Sequence, residues 1–363
     1  MAARKTLVAV AAASVASLVL SGCTGSSSPA HGSTPARPTS SAAPVAPAGS
    51  NGTAALALQS SYEATIRKVL PSVVLIRTST DLGSGVVFDT KGDIVTNDHV
   101  VGSAHAFTVS FAGSTKAYPA KLVGTYPVDD LAVIRVSGAQ HMRPIRFANS
   151  SSVQVGEIVL AIGNPLGLSS SVTNGIVSAV GRTVTEPQGG GSPGATLPDT
   201  IQTSAAINPG NSGGALVDLN GNLVGIPTLA ATDQQLGGGA APGIGFAISS
   251  DIVKDVAGQL VAHGKVTVSH RAALGVTVTT VSGPSGQPAG VGIVAVRSGG
   301  AAAHAGLKAG DVITAVDHQP TPTTQAIATV LANLRPGQRV PVKVTRADGS
   351  TTTVQVTLGT LPG

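Results

Sequence analysis

Between residues 72 and 248 the chain runs through short stretches rich in valine, isoleucine and threonine, among them SVVLIRT, GSGVVFD, DIVTNDHVV, FTVSF, LAVIRV, EIVLAIG, SVTNGIVSAV and GIGFAI. Turn-forming triplets such as Thr90-Lys91-Gly92 and Leu219-Asn220-Gly221 fall between them. β-Branched residues in this rhythm suit strands joined by tight turns, so antiparallel barrels are expected rather than βαβ units. The core must be aliphatic, because 363 residues include no Trp, 3 Tyr and 5 Phe. With 46 Gly and 23 Pro supplying the turns, the expected class is mainly β, followed by a smaller α+β region.

The ends of the chain read differently. Arg4 and Lys5 precede the uncharged stretch Thr6–Leu20, which is short for a bilayer span, and then Ser21-Gly22-Cys23. This pattern predicts a signal peptide over 1–22. Leu20 to Cys23 resembles a bacterial lipobox, which implies lipid on the sulfur of Cys23, membrane anchoring through that lipid and an extracytoplasmic location. An ordinary signal peptide with Cys23 incidental is the alternative. Residues 24–57 are mostly Ser, Pro, Ala, Gly and Thr, too polar and small to offset ordering entropy, and read as a disordered tether. Ser60 and Glu63 have capping-box spacing for a short helix that Pro71 stops. The folded regions are expected over 58–265 and 266–361, linked by a helix in DIVKDVAGQLVAHG that Gly264 ends. Residues 182–199 and 231–243 read as long glycine-rich loops. The net charge of +5 comes from scattered Lys and Arg without a basic run, so no nucleic-acid partner is expected.

INPGNSGGAL, at 207–216, raises the question of chemistry. A serine hydroxyl is a poor nucleophile unless a base takes its proton, and histidine has a suitable pKa near neutrality. A carboxylate then holds the imidazole tautomer. His99 in DIVTNDHVV, Asp130 before LAVIRV and Ser212 can fill these roles only if a fold brings them together, with Asp129 the nearest rival to Asp130. The amides of Gly210 and Ser212 can converge beside the serine oxygen as an oxyanion hole. Taken singly, each has a plainer reading: a packed histidine, a strand-capping carboxylate, a glycine-rich turn. No HExxH, P-loop or Cys/His ligand spacing occurs, so no metal and no cofactor are expected.

The segments GSGVVFDTKGDIVTNDHVV, DLAVIRV, GNPLGLSSSVTNGIVSAVGR, IQTSAAINPGNSGGALVD and GIGFAI resemble, in order, the HtrA (Deg) family of chymotrypsin-fold serine proteases. The resemblance implies a double β-barrel with its active site between the barrels, His99 as general base, Asp130 as its orienter and Ser212 as nucleophile. It also implies a homotrimer. Ser204 stands where the family commonly has Asp, and Pro227 where it commonly has Asn. Ile207, Thr228 and Leu229 are expected to wall an apolar substrate pocket that favours small or medium aliphatic side chains. The last region resembles a PDZ domain, on AAAHAGLKAGDVITAVD and on Ala273-Leu274-Gly275-Val276 at its carboxylate-binding loop. Ala273 replaces the usual large apolar residue there. The expected function is extracytoplasmic, ATP-independent endoproteolysis of unfolded or damaged proteins, with C-terminal peptides as PDZ ligands. The alternative is a chaperone-like or peptide-binding lipoprotein with little or no proteolysis.

Overall fold

The computed structural model describes residues 49–363 apart from 80, 115, 140–141, 165–170, 186–194, 209 and 234–238. The signal segment, Cys23 and most of the expected tether lie outside the described residues. Helix α1 (Gly49–Val69) starts well before Ser60, where the sequence suggested coil through residue 57. Ala54, Ala55, Leu56, Ala57 and Leu58 are good helix formers and carry the helix backwards, so Ser60 lies inside it rather than at its cap. The C-terminal end of α1 is fastened to the second barrel. Thr65 donates to the Leu219 carbonyl at 2.6 Å, Lys68 to that of Asn220 at 2.5 Å, and Tyr62 and Ile66 pack on the core.

The first barrel is a closed ring of β1 (Val73–Arg77), β2 (Leu82–Val87), β3 (Asp93–Thr96), β4 (Ala106–Phe111), β5 (Ala117–Tyr126) and β6 (Leu131–Val136), paired in the order β1-β2-β3-β6-β5-β4. The short helix α2 (Asp98–Val101) follows β3. After β7 (Arg146–Phe147) comes the second set: β8 (Ile158–Gly163), β9 (Ser171–Thr185), β10 (Thr196–Thr203), β11 (Ala215–Asp218), β12 (Asn222–Asp233) and β13 (Gly239–Ser249). These run β11-β8-β9-β10-β13-β12, a pairing of β11 with β12 closes the ring, and β7 adds to β12 in parallel. Where they are described, the stretches read as long loops are mostly strand: β9 reaches Thr185, β10 begins at Thr196, and Asp233 pairs with Gly239, while 186–194 and 234–238 lie outside the described residues.

The apolar runs are continuous rather than alternating because both faces of these strands are buried. Val74, Ile76, Ala132 and Ile134 point into the first barrel, while Val73, Leu131 and Val133 join Leu160, Ile162, Val217 and Ile226 in a cluster shared by both barrels. Helix α3 (Ser250–His263) adds Val253, Val256, Ala257 and Leu260 to that cluster. It ends as expected: Gly264 takes φ +70° and returns its amide to the Leu260 carbonyl at 2.8 Å.

Beyond α3 a second sheet has the order β15 (Val276–Ser282), β16 (Pro288–Val296), β17 (Val312–Val316), β19 (Arg339–Thr345) and β20 (Thr351–Thr357), with β18 (Gln319–Pro320) beside β17. β14 (Ala272–Ala273) pairs separately with β21 (Gly359–Thr360). Helices α4 (Ala301–His304) and α5 (Thr324–Ala332) cover a core of Val291, Ile313, Val342, Val344 and Ile327. β15 is one edge of this sheet, β20 the other.

Candidate active site between the barrels

His99 is carried by α2, one turn past the end of β3. Asp130 follows a 3₁₀ turn (Pro127–Asp129) and takes φ +49°, a left-handed conformation that few non-glycine residues adopt. The two are tied at several points. His99 Nδ1 lies 3.0 Å and 2.9 Å from the two Asp130 carboxylate oxygens, and the His99 amide donates to Oδ1 at 3.0 Å. The Asp130 carbonyl receives the Asn97 side-chain amide at 3.0 Å and the Asp98 backbone amide at 3.1 Å. Nδ1 is thus engaged by both oxygens of a carboxylate.

Ser212 stands on the loop between β10 and β11. Its hydroxyl donates to the Thr228 carbonyl at 3.4 Å, while the Thr228 hydroxyl donates to Asp130 Oδ2. Thr228 therefore links the serine and the aspartate. It was expected as part of an apolar pocket wall; its side chain is instead buried toward the carboxylate. A β-bulge between Pro227 and Leu229 sets the face it presents. Ile207 is 6% exposed and packs into the second barrel's interior, where a Cβ on Gly245 would overlap it. The side chain of Leu229 lies outside the described residues.

The nucleophile loop is fastened from the first barrel. Ser84, fully buried, donates its hydroxyl to the Gly210 carbonyl at 2.5 Å and accepts from the Asn164 amide at 2.8 Å. The Ser84 amide donates to the Ser212 carbonyl at 3.0 Å, and Thr96 donates to the Ser84 carbonyl at 2.7 Å. Gly213, at φ +78°, approaches so closely that a Cβ would overlap the Ser84 carbonyl and the Thr96 hydroxyl. Gly210, at φ +104°, also needs the freedom of glycine. Among the described residues no acceptor takes the backbone amide of Gly210 or Ser212. The signal for Ser84 in the sequence is the GSG triplet around it, which carries no hint of its partner at Gly210. The two departures sit nearby: Ser204 Oγ accepts from the Ile176 amide at 3.0 Å, and the Pro227 carbonyl receives the Gly213 amide at 3.1 Å.

A second carboxylate crowds the pair. Asp98 is 7% exposed, and its carboxyl is pushed up to about 6, first by burial and then by the charge of Asp130, with His99 opposing.

The expected peptide-binding loop lies at one end of a groove of about 730 Å³. Ala273, Leu274, Gly275 and Val276 line it beside the open edge of β15, with Ile327 and Leu331 of α5 opposite. Gly275 takes φ +75°. Arg297 is the charged side chain of this lining.

Comparison with known proteins agrees with this anatomy. Residues 83–226 match the trypsin-like peptidase domain family and residues 272–358 the PDZ domain family. The serine protease PepD of Mycobacterium tuberculosis is 42% identical over 318 residues, covering 82% of this chain and 66% of that protein. The periplasmic serine endoprotease DegP of Escherichia coli is 39% identical over 284 residues, covering 76% of this chain and 56% of that protein. The chain thus spans between 56% and 66% of the length of these two curated relatives. Among solved structures, the HtrA-type protease AlgW with a decapeptide is 32% identical, covers 83% of this chain and 99% of that chain, and superposes with a TM-score of 0.56. A double barrel with His99, Asp130 and Ser212 at its seam, followed by a PDZ domain, makes this chain a member of the HtrA/DegP family of trypsin-like serine proteases.

Proposed function

We propose that the chain is an extracytoplasmic, ATP-independent serine endopeptidase acting on unfolded or damaged proteins. The observation that carries this reading is the linkage of His99, Asp130 and Ser212: Nδ1 within 2.9 Å of the carboxylate, and Thr228 bonded to both the acid and the serine. In the proposed reaction Ser212 Oγ attacks the scissile carbonyl while His99 Nε2 takes its proton, and Asp130 stabilises the imidazolium. The amides of Gly210 and Ser212 hold the oxyanion. His99 then passes the proton to the leaving amine, and a water that it activates hydrolyses the acyl-enzyme. Ile207 filling the space over Gly245 favours small or medium aliphatic side chains at the cleaved position. The groove beside β15 binds C-terminal peptides by strand addition, with the 273–276 loop holding the carboxylate.

The proposed organisation is a signal peptide over 1–22, lipid on Cys23, a tether to about residue 48, a protease domain to 265 and a PDZ domain over 266–361. The protein works from the outer face of the cell membrane as a homotrimer. Fluorophosphonate labelling with peptide mapping tests the chemistry: label on Ser212, absent in Ser212→Ala, is expected, together with a loss of turnover of about 10⁶-fold. A folded protein that takes no label and binds denatured substrate without cutting it would replace this reading with the binding-only alternative.

A further inference from the structure

Asp129 is an acid for which the proposed reaction has no use, yet its side chain is only 5% exposed. It is ion-paired with Arg271, whose own side chain is 12% exposed. The guanidinium is forked: Nη1 donates to Asp129 Oδ1 and Nη2 to the Thr196 carbonyl at 2.7 Å. By its backbone Arg271 belongs to the PDZ domain. Its carbonyl accepts the Leu361 amide at 2.8 Å, and the next residues, Ala272 and Ala273, pair with Thr360 and Gly359. Asp129 belongs to the protease, where its neighbour is Asp130.

Asp130 holds a left-handed backbone, which a non-glycine residue keeps only where its surroundings over-determine it. On its far side the restraints are Asn97, Asp98, His99 and Thr228. On its near side the turn is anchored by the buried pair. Removing the guanidinium would leave a buried carboxylate uncompensated, which must take a proton or swing to water. Either outcome disturbs the turn that presents Asp130. Burial already pushes the Asp129 carboxyl above the usual range, and Arg271 opposes that shift.

We infer that Arg271 is a positioning residue for the triad: supplied by the PDZ domain, it neutralises Asp129 and holds the 127–130 turn, so a side chain from outside the barrels completes the protease site. The inference rests on the reading of Asp130 as the partner of His99.

The test uses the full chain with Arg271→Met, Arg271→Lys and the double variant Arg271→Met/Asp129→Asn. Each is assayed for kcat and KM on a short peptide and by NMR for the downfield proton shared by His99 and Asp130. Arg271→Met is expected to lower kcat by about 10- to 100-fold with KM nearly unchanged, and to weaken the downfield signal. The double variant, with no lone buried charge, should recover most of both. Wild-type kcat in a folded Arg271→Met protein, or a double variant no better than the single, overturns the inference. Should Arg271→Met not fold, Arg271→Lys decides. It keeps the charge but loses the fork, so a several-fold fall in kcat at constant KM supports positioning, and an unchanged kcat overturns it. An inactive, unlabelled wild-type protein would sink the protease reading alone, because the downfield proton would still report on Arg271.

Discussion

The two barrels furnish the cleft in different ways. The first presents His99 and Asp130 on short, closely tied connections, each anchored to the other through backbone as well as side-chain atoms. The second presents Ser212 on a glycine-bearing loop, and the groups that fasten that loop, Ser84 and Thr96, come from the first barrel. The acid–base half is tied together within its own barrel and is also held from outside by Thr228 of β12 and, through Asp129, by Arg271, whereas the nucleophile half is seated chiefly by its neighbour. Local loosening of the seam is expected to unseat the serine loop while the direct imidazole–carboxylate contacts remain.

That asymmetry is open to attack from both sides. Asp130→Asn strikes the acid–base half: the wrong tautomer is favoured, and kcat should drop about 10⁴-fold while the protein stays folded. Steady-state kinetics beside a melting curve checks it, and a loss below tenfold would show that Asp130 does not orient the base. Ser84→Ala strikes the borrowed seat. It strips a buried hydroxyl from the Gly210 carbonyl and the Asn164 amide, at a cost of about 3 kcal/mol. Slower fluorophosphonate labelling with an intact His99–Asp130 downfield proton is the expected signature; loss of both together would mean that the halves are not separable.

The smallest expected effect concerns the crowding within the first half. The Asp98 carboxyl is raised from 3.8 to about 6, so the folded state holds this proton longer than the unfolded chain does. The resulting penalty is absent below about pH 4, grows as pH rises toward 6 and is complete above that. Asp98→Asn should therefore stabilise the protein at pH 7 by an amount on the order of 2 kcal/mol, and the gain should vanish near pH 4. Denaturant unfolding at the two pH values measures this; an equal gain at both would assign the effect to something other than ionisation.

Much of the architecture was legible because its signals are local. Strand runs, turn triplets and the αL glycine after α3 are each written in a few adjacent residues. His99, Asp130 and Ser212 stand out through their motifs, and the structure ties His99 to Asp130 directly and Asp130 to Ser212 through Thr228. Thr228 turns its hydroxyl to Asp130 at a register shift in β12, an irregularity that no run of adjacent residues announces. Ser84 and Arg271 were passed over for another reason. Their partners, Gly210 and Asp129, lie 126 and 142 residues away, and nothing in the chain near either one names a partner at that distance. The start of α1 was missed because low-complexity composition obscured a run of alanine and leucine with ordinary helix preference.

The dependence of the site on contacts between the two barrels has a consequence in time. Thr228, which holds Asp130, lies on β12 and Ser212 precedes β11, while Asp130 and Ser84, which meet them, belong to the first barrel, so the site comes together only when both barrels have formed and met. A chain still being synthesised or threaded through a pore carries every reactive group and no working arrangement of them. Such non-local assembly is slow to form, and it keeps a nascent hydrolase harmless to its own unfolded copies until folding is finished.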